Sequence, residues 1–140
     1  MRRVALCAPL VFAWAAVGAP ALAGDAATNS AGMSRGWEFA EQGGADLFRH
    51  VCAACHQADA KGAVGAGAYP PLASDKKLVS TGFMLSVLLR GLHGMPPLGD
   101  MMSDAQVADV VNYVRANFGN AYPGAVSAAD VAAARRATAP

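Results

Sequence analysis

Five residues, Cys52-Ala53-Ala54-Cys55-His56, constrain this chain more than any other feature of its 140-residue sequence. Two thiols separated by two residues lie about one helical turn apart. At that separation they reach the two vinyl groups on one edge of a porphyrin, and the adjacent imidazole then lies beneath the iron, so the pattern reads as attachment of a c-type haem. A chain that carries such a group must wrap a flat apolar plate. Other uses of paired cysteines fit less well. A thioredoxin-like redox pair wants a strand before it and a βαβ setting, and no strand pattern is visible. Zinc wants four ligands, usually as two spaced pairs, and the second pair is missing. A plain disulfide leaves His56 without a purpose.

Export fits the same reading. Arg2 and Arg3, the apolar run Val4–Val17 and the small-x-small site Ala21-Leu22-Ala23 form a secretory leader, which predicts a mature start near Gly24 and a periplasmic location. Pro9 and Pro20 interrupt this apolar stretch, which is shorter than the ~20 residues of a membrane span, so no stable span is expected. Cys7 falls within the leader, leaving Cys52 and Cys55 as the mature cysteines. The whole chain carries 11 basic and 10 acidic residues, a formal +1; without Arg2 and Arg3 nine basic residues face ten acidic ones, a formal −1. That balance gives no nucleic-acid footprint.

The domain plan follows from composition and period. Residues 1–23 are the leader, 24–40 a small and polar flexible segment, 41–120 the domain, and 121–140 a tail with a short helix. A first helix is predicted from Glu41 to Val51, with Leu47, Phe48 and Val51 on one side, running directly into Cys52. A second spans Ser80 to Gly91, with Phe83, Met84, Val87 and Leu88 inward and Gly91 as its left-handed stop. Ser103 and Gln106 make a capping box, and Val107, Val110, Val111, Val114 and Phe118 follow at helical spacing. Ser127 caps a tail helix to about Arg136. Gln57–Ser74 and Gly91–Met102, rich in glycine and proline, are predicted to be irregular and to wrap the cofactor. The fold class is therefore all-α, three to five helices around one covalently bound haem.

A six-coordinate electron-transfer haem wants a second axial ligand, and methionine opposite histidine raises the potential. Met95, Met101, Met102, His93 and His50 are the candidates, with Met33 and Met84 behind them. Met95 sits in a Gly-Met-Pro-Pro loop whose prolines stiffen the backbone. Met102 occupies the place before the capping box where a core side chain plugs the helix start, and Met101 suits either role. His93 reads as a surface residue, and His50 as solvent-facing, since a helix presenting His56 cannot easily present His50 as well. The other nitrogen of His56 needs an acceptor, which the Tyr69-Pro70-Pro71-Leu72 loop can supply.

These residues resemble the class I c-type cytochromes from about Gly44 to Gly119. The resemblance rests on Gly44-x-x-Leu47-Phe48-x-x-x-Cys52-x-x-Cys55-His56, Pro70-Pro71-Leu72, Gly94-Met95-Pro96-Pro97, and Ser103-Asp104 leading into Asn112-Tyr113-Val114-Arg115. It implies a small helical shell in which Gly44 and Phe48 cross Tyr113, iron held by His56 and Met95, and a Pro70 carbonyl accepting the His56 N–H. The tail, Phe118-Gly119-Asn120 followed by Val131 and Arg135, is similar to monohaem cytochrome subunits serving periplasmic dehydrogenases. The implied role is outer-sphere transfer of single electrons from a dehydrogenase to an oxidase or another cytochrome, with no residue acting as acid, base or nucleophile. Lys61, Lys76, Lys77 and Arg90 are the nearest charges expected around the docking edge. Two rival readings stand beside it: an open-site enzyme or gas sensor, and a subunit whose main task is to dock a dehydrogenase.

Overall fold

The computed structural model describes residues 38–65 and 67–138; the expected leader, Met33 and the last two residues lie outside them. The first helical run begins as α1, Gly44–Leu47, widens into a π-turn over Phe48–Cys52, and returns to α geometry as α2, Ala53–His56. It therefore starts three residues later than Glu41 and ends beyond Val51, on the histidine itself. The π-turn puts one extra residue into the coil immediately before the first cysteine. No periodicity reveals such an insertion.

Helix α1 buries Leu47 fully and the π-turn buries Phe48 almost so, and α1 packs on α4, Asp104–Ala116. The crossing is close because Gly44 lacks a side chain: a Cβ there would lie 2.5 Å from Tyr113 Cβ. Phe48 contacts Tyr113 at 5.9 Å between ring centroids and Phe118 at 4.5 Å, and Tyr113 meets Phe118 edge-on at 5.6 Å. Phe48 and Tyr113 make the expected pair. Phe118 completes a triangle.

Helix α4 buries Val107, Val110, Val111 and Val114, the stripe its spacing predicted, and burial of each such side chain contributes about 1.5–3 kcal/mol. The capping box is formed: Ser103 Oγ accepts from Gln106 N–H, and Gln106 Oε1 accepts from Ser103 N–H at 2.8 Å. The same buried amide donates through Nε2 to the carbonyls of Phe39 and Glu41. Phe39, placed by sequence in a flexible segment, is thus held against the core, and its N–H donates to Met101 O at 3.0 Å.

Helix α3, Thr81–Arg90, is capped by Ser80, whose Oγ accepts from Phe83 N–H. Met84, Leu85 and Leu88 are its buried residues. Phe83, expected inward, is 37% exposed. Phe83 and Val87 share one stripe at i and i+4, whereas Leu85 and Leu88 share the neighbouring one, and it is the latter that meets the protein core.

Two short elements fall outside the predicted helices. Within the loop after His56, β1, Ala63–Val64, pairs antiparallel with β2, Ala68–Tyr69, in register Ala63↔Tyr69 and Val64↔Ala68. A short 3-10 helix, Lys76–Val79, follows. Neither carries a hydrophobic period, because pairs this short are formed by the chain returning on itself rather than by burial of a face.

The tail is fastened side chain by side chain. Arg115, 3% exposed, donates to the carbonyls of Leu78, Pro123 and Gly124, and Asn112 exchanges two hydrogen bonds with the Val126 backbone. Helix α5, Ala128–Thr138, then packs on α4 and α3 and buries Val131 completely.

Candidate functional site

Cys52 and Cys55 are free thiols on the continuous run from α1 to α2, the first half-buried and the second exposed. Burial and the neighbouring Cys55 push the Cys52 thiol up to about 11. Among the described residues no group of three or more His, Cys, Asp or Glu side chains is placed to hold a bare metal ion.

His56 closes α2 and is 8% exposed. Gln57, at φ +67°, turns the chain out of the helix, and the loop then folds back on itself: Gly62 N–H donates to His56 O, while Leu72 and Ala73 N–H both donate to Ala60 O. This return brings the Pro70 carbonyl to 2.9 Å from His56 Nδ1. A carbonyl can only accept, so Nδ1 carries the proton and Nε2 keeps its lone pair for a metal. Gly62, at φ +70°, makes the approach possible, since a side chain there would overlap the Tyr69 carbonyl oxygen and lie 2.9 Å from Pro70 O.

Met95 stands in a second loop. Its N–H donates to Leu92 O at 2.9 Å, and its carbonyl accepts from Leu92 N–H at 3.0 Å, forming an isolated bridge around His93 and Gly94. Gly91, at φ +76°, lets this loop pass over the end of α3; a Cβ there would sit 2.6 Å from Met95 O and 2.9 Å from Pro97 N. The Met95 side chain is half-buried at the margin of the core.

The other candidates are placed differently. Met102, 4% exposed, and Met84, 8% exposed, are core residues, so their thioethers are spent on packing. Met101 is half-buried in a 3-10 turn, Gly99–Met101. His93 is exposed. His50 is 54% exposed in its side chain and lies 3.9 Å from Glu41 Oε1, turned to solvent as the helix argument requires.

The donor set suits an iron porphyrin: two thiols a turn apart, an imidazole with fixed tautomer, and a thioether on a stiffened loop. Apolar side chains are left uncovered in both loops, Tyr69 at 44% and Leu92 at 43% exposure, with Phe83 on α3 nearby in sequence. A flat apolar group bound between the loops would cover such surface. A separate cleft of about 460 Å³, lined in part by Val79, Leu85 and Arg115, contains none of Cys52, His56, Pro70 or Met95.

Some contributors carried no readable signal. Gln106 was visible as half of a capping box but not as the tether of Phe39. Arg135, 31 residues from Asp104, donates to that carboxylate and to two loop carbonyls, and nothing in local sequence foretells those partners.

Comparison with known proteins places the chain in a family. Residues 39–114 match the family described as cytochrome c oxidase, cbb3-type, subunit III. The chain is 34% identical over 125 residues to the cytochrome c subunit of a quinone-dependent alcohol dehydrogenase from Gluconacetobacter polyoxogenes, covering 80% of this chain and 26% of that one. The corresponding subunit from Gluconobacter oxydans is 34% identical over 110 residues, covering 69% and 23%. The cytochrome c subunit of a gluconate 2-dehydrogenase from Pantoea cypripedii is 36% identical over 111 residues, covering 68% and 24%. The chain thus spans about a quarter of the length of the curated relatives it matches. It belongs to this cytochrome c family.

Proposed function

We propose that this member of the cytochrome c family is a periplasmic carrier of single electrons, holding one haem c through Cys52 and Cys55 with His56 and Met95 as axial ligands. When bound, the haem iron supplies reversible one-electron chemistry. The protein's part is to keep both ligands in place in either oxidation state, so that little rearrangement accompanies transfer.

The observation that carries this reading is the 2.9 Å contact from His56 Nδ1 to the Pro70 carbonyl, which orients the imidazole and raises its basicity as a ligand. Met95 is favoured as the opposite ligand because Met102 and Met84 are core residues whereas Met95 lies at the core margin on a loop stiffened by two prolines.

Electrons come from a dehydrogenase and leave to an oxidase or another cytochrome. The donor class follows from relatives named as dehydrogenase cytochrome subunits. Periplasmic location follows from the leader at residues 1–23, and no helix among the described residues is long and apolar enough to cross a membrane. Docking is weakly charged at Lys61, which is paired with Asp59 at 3.3 Å.

The test is the optical spectrum of the exported protein, oxidised and reduced, with and without carbon monoxide. Covalently retained low-spin haem indifferent to carbon monoxide is expected, and Met95→Ala should open the site to the gas while leaving the haem attached. Ready binding by the unmodified protein would favour an enzyme or sensor with an open sixth position. A colourless product from a host able to attach haem would sink the proposal.

A further inference from the structure

Arg135 lies on α5, far in sequence from both loops, yet its guanidinium is committed to the methionine loop. Nε donates to Asp104 Oδ1 at 2.6 Å, Nη1 to Gly99 O at 2.7 Å and Nη2 to Met102 O at 2.7 Å. Both carbonyls belong to the segment that joins Met95 to α4.

From the other side, Phe39 N–H donates to Met101 O, and Leu98 N–H donates to Leu88 O on α3. Every residue from Leu98 to Met102 except Asp100 is thereby held by a group outside the segment. Upstream stand Pro96 and Pro97, whose φ angles are fixed by their rings. A restraint applied at Gly99 therefore reaches Met95 through a stiff connector instead of being absorbed by free rotation. Helix α5 is itself immobilised by Val131, which is fully buried.

Resting on the reading of Met95 as a ligand, we infer that Arg135 is a positioning residue: through the C-terminal helix it holds the loop so that the Met95 thioether stays on the iron. A guanidinium suits this task best, because its planar fork reaches three separated acceptors in fixed directions, whereas an ammonium is a single compact charge that does not span all three.

The experiment compares the haem-loaded full chain with Arg135→Ala, Arg135→Lys and Arg136→Ala. It reads the methionine-to-iron charge-transfer band of the ferric protein and the rate of carbon monoxide binding to the ferrous protein. Arg135→Ala should weaken the band and speed carbon monoxide binding about tenfold, the change in open population expected when restraint equal to one charge-assisted hydrogen bond is lost. Arg135→Lys should fall between it and the unmodified protein, and remains informative if the alanine variant does not fold. Arg136→Ala, at the exposed neighbouring position, should change nothing. A band and gas-binding rate unchanged in Arg135→Ala and Arg135→Lys would overturn the inference alone. An unmodified protein without the band would overturn the Met95 reading and this inference with it.

Discussion

The two loops of the site solve one problem in different ways. Each must carry a backbone segment past a helix end, and each does so over a glycine in left-handed conformation, Gly62 in one and Gly91 in the other. The His56 loop closes largely on itself, its bonds running between His56, Ala60, Gly62, Pro70 and Leu72, and is tied to the rest of the domain only towards its end, where Asn120 Nδ2 donates to Leu72 O and Ser74 N–H donates to Phe118 O. The Met95 loop closes locally at the Leu92–Met95 bridge, but beyond it takes its restraints from Phe39, Leu88 and Arg135, which come from three distant parts of the chain. A locally closed loop is set by its own sequence, whereas a loop braced from outside is only as firm as the packing of the whole domain. In the proposed site, His56 should accordingly be the harder of the two ligands to disturb from a distance.

The largest expected effect tests the glycines against each other. Gly62→Ala places a side chain against backbone carbonyl oxygen in a strained conformation, and should cost at least about 3 kcal/mol in denaturant unfolding together with loss of correctly formed holoprotein. Gly91→Ala meets Met95 O at a somewhat longer distance and should cost less while weakening the methionine band more selectively. Equal damage to both ligands from either change would erase the distinction drawn between the loops.

Met102→Ala comes next. It removes a buried side chain and should lower stability by about 2–4 kcal/mol, yet keep the haem closed to carbon monoxide. A site that opens in Met102→Ala but stays closed in Met95→Ala would exchange the two assignments.

The smallest effect concerns the start of α5. The Asp130 carboxylate accepts from Ser127 Oγ at 2.7 Å and Ser127 N–H at 2.8 Å, and the Ser127 hydroxyl is the main reason its pKa lies below the usual 3.8. A carboxyl depressed in the fold stabilises above its unfolded value and loses that contribution as pH falls through its folded value. The Ser127 amide should therefore lose its hydrogen-bonded NMR shift only below pH 3.8, with the core of α4 unaffected. Loss at neutral pH would show that α5 is not capped this way.

Much of the proposed site was legible in the sequence. The attachment motif, the Ser103 capping box and the valine stripe of α4 all depend on residues within a few positions of one another, where covalent spacing and helical period leave little freedom. Phe83 marks where period alone fails: α3 is apolar on two adjacent stripes, and periodicity cannot say which one the protein core takes. The Ala63–Tyr69 strand pair and the π-turn at Phe48–Cys52 were illegible for a related reason, since neither expresses a face to bury.

The sequence by itself determined the chemistry carried on one helical turn and the helices that frame it, because both are short-range properties. Only tertiary structure decided which carbonyls meet Arg115 and Arg135, which methionines are spent in the core, and how Phe39 is tied to Met101. Backbone carbonyls are the same in every residue, so sequence cannot mark them as partners. They become specific only when the chain has folded and put them within reach.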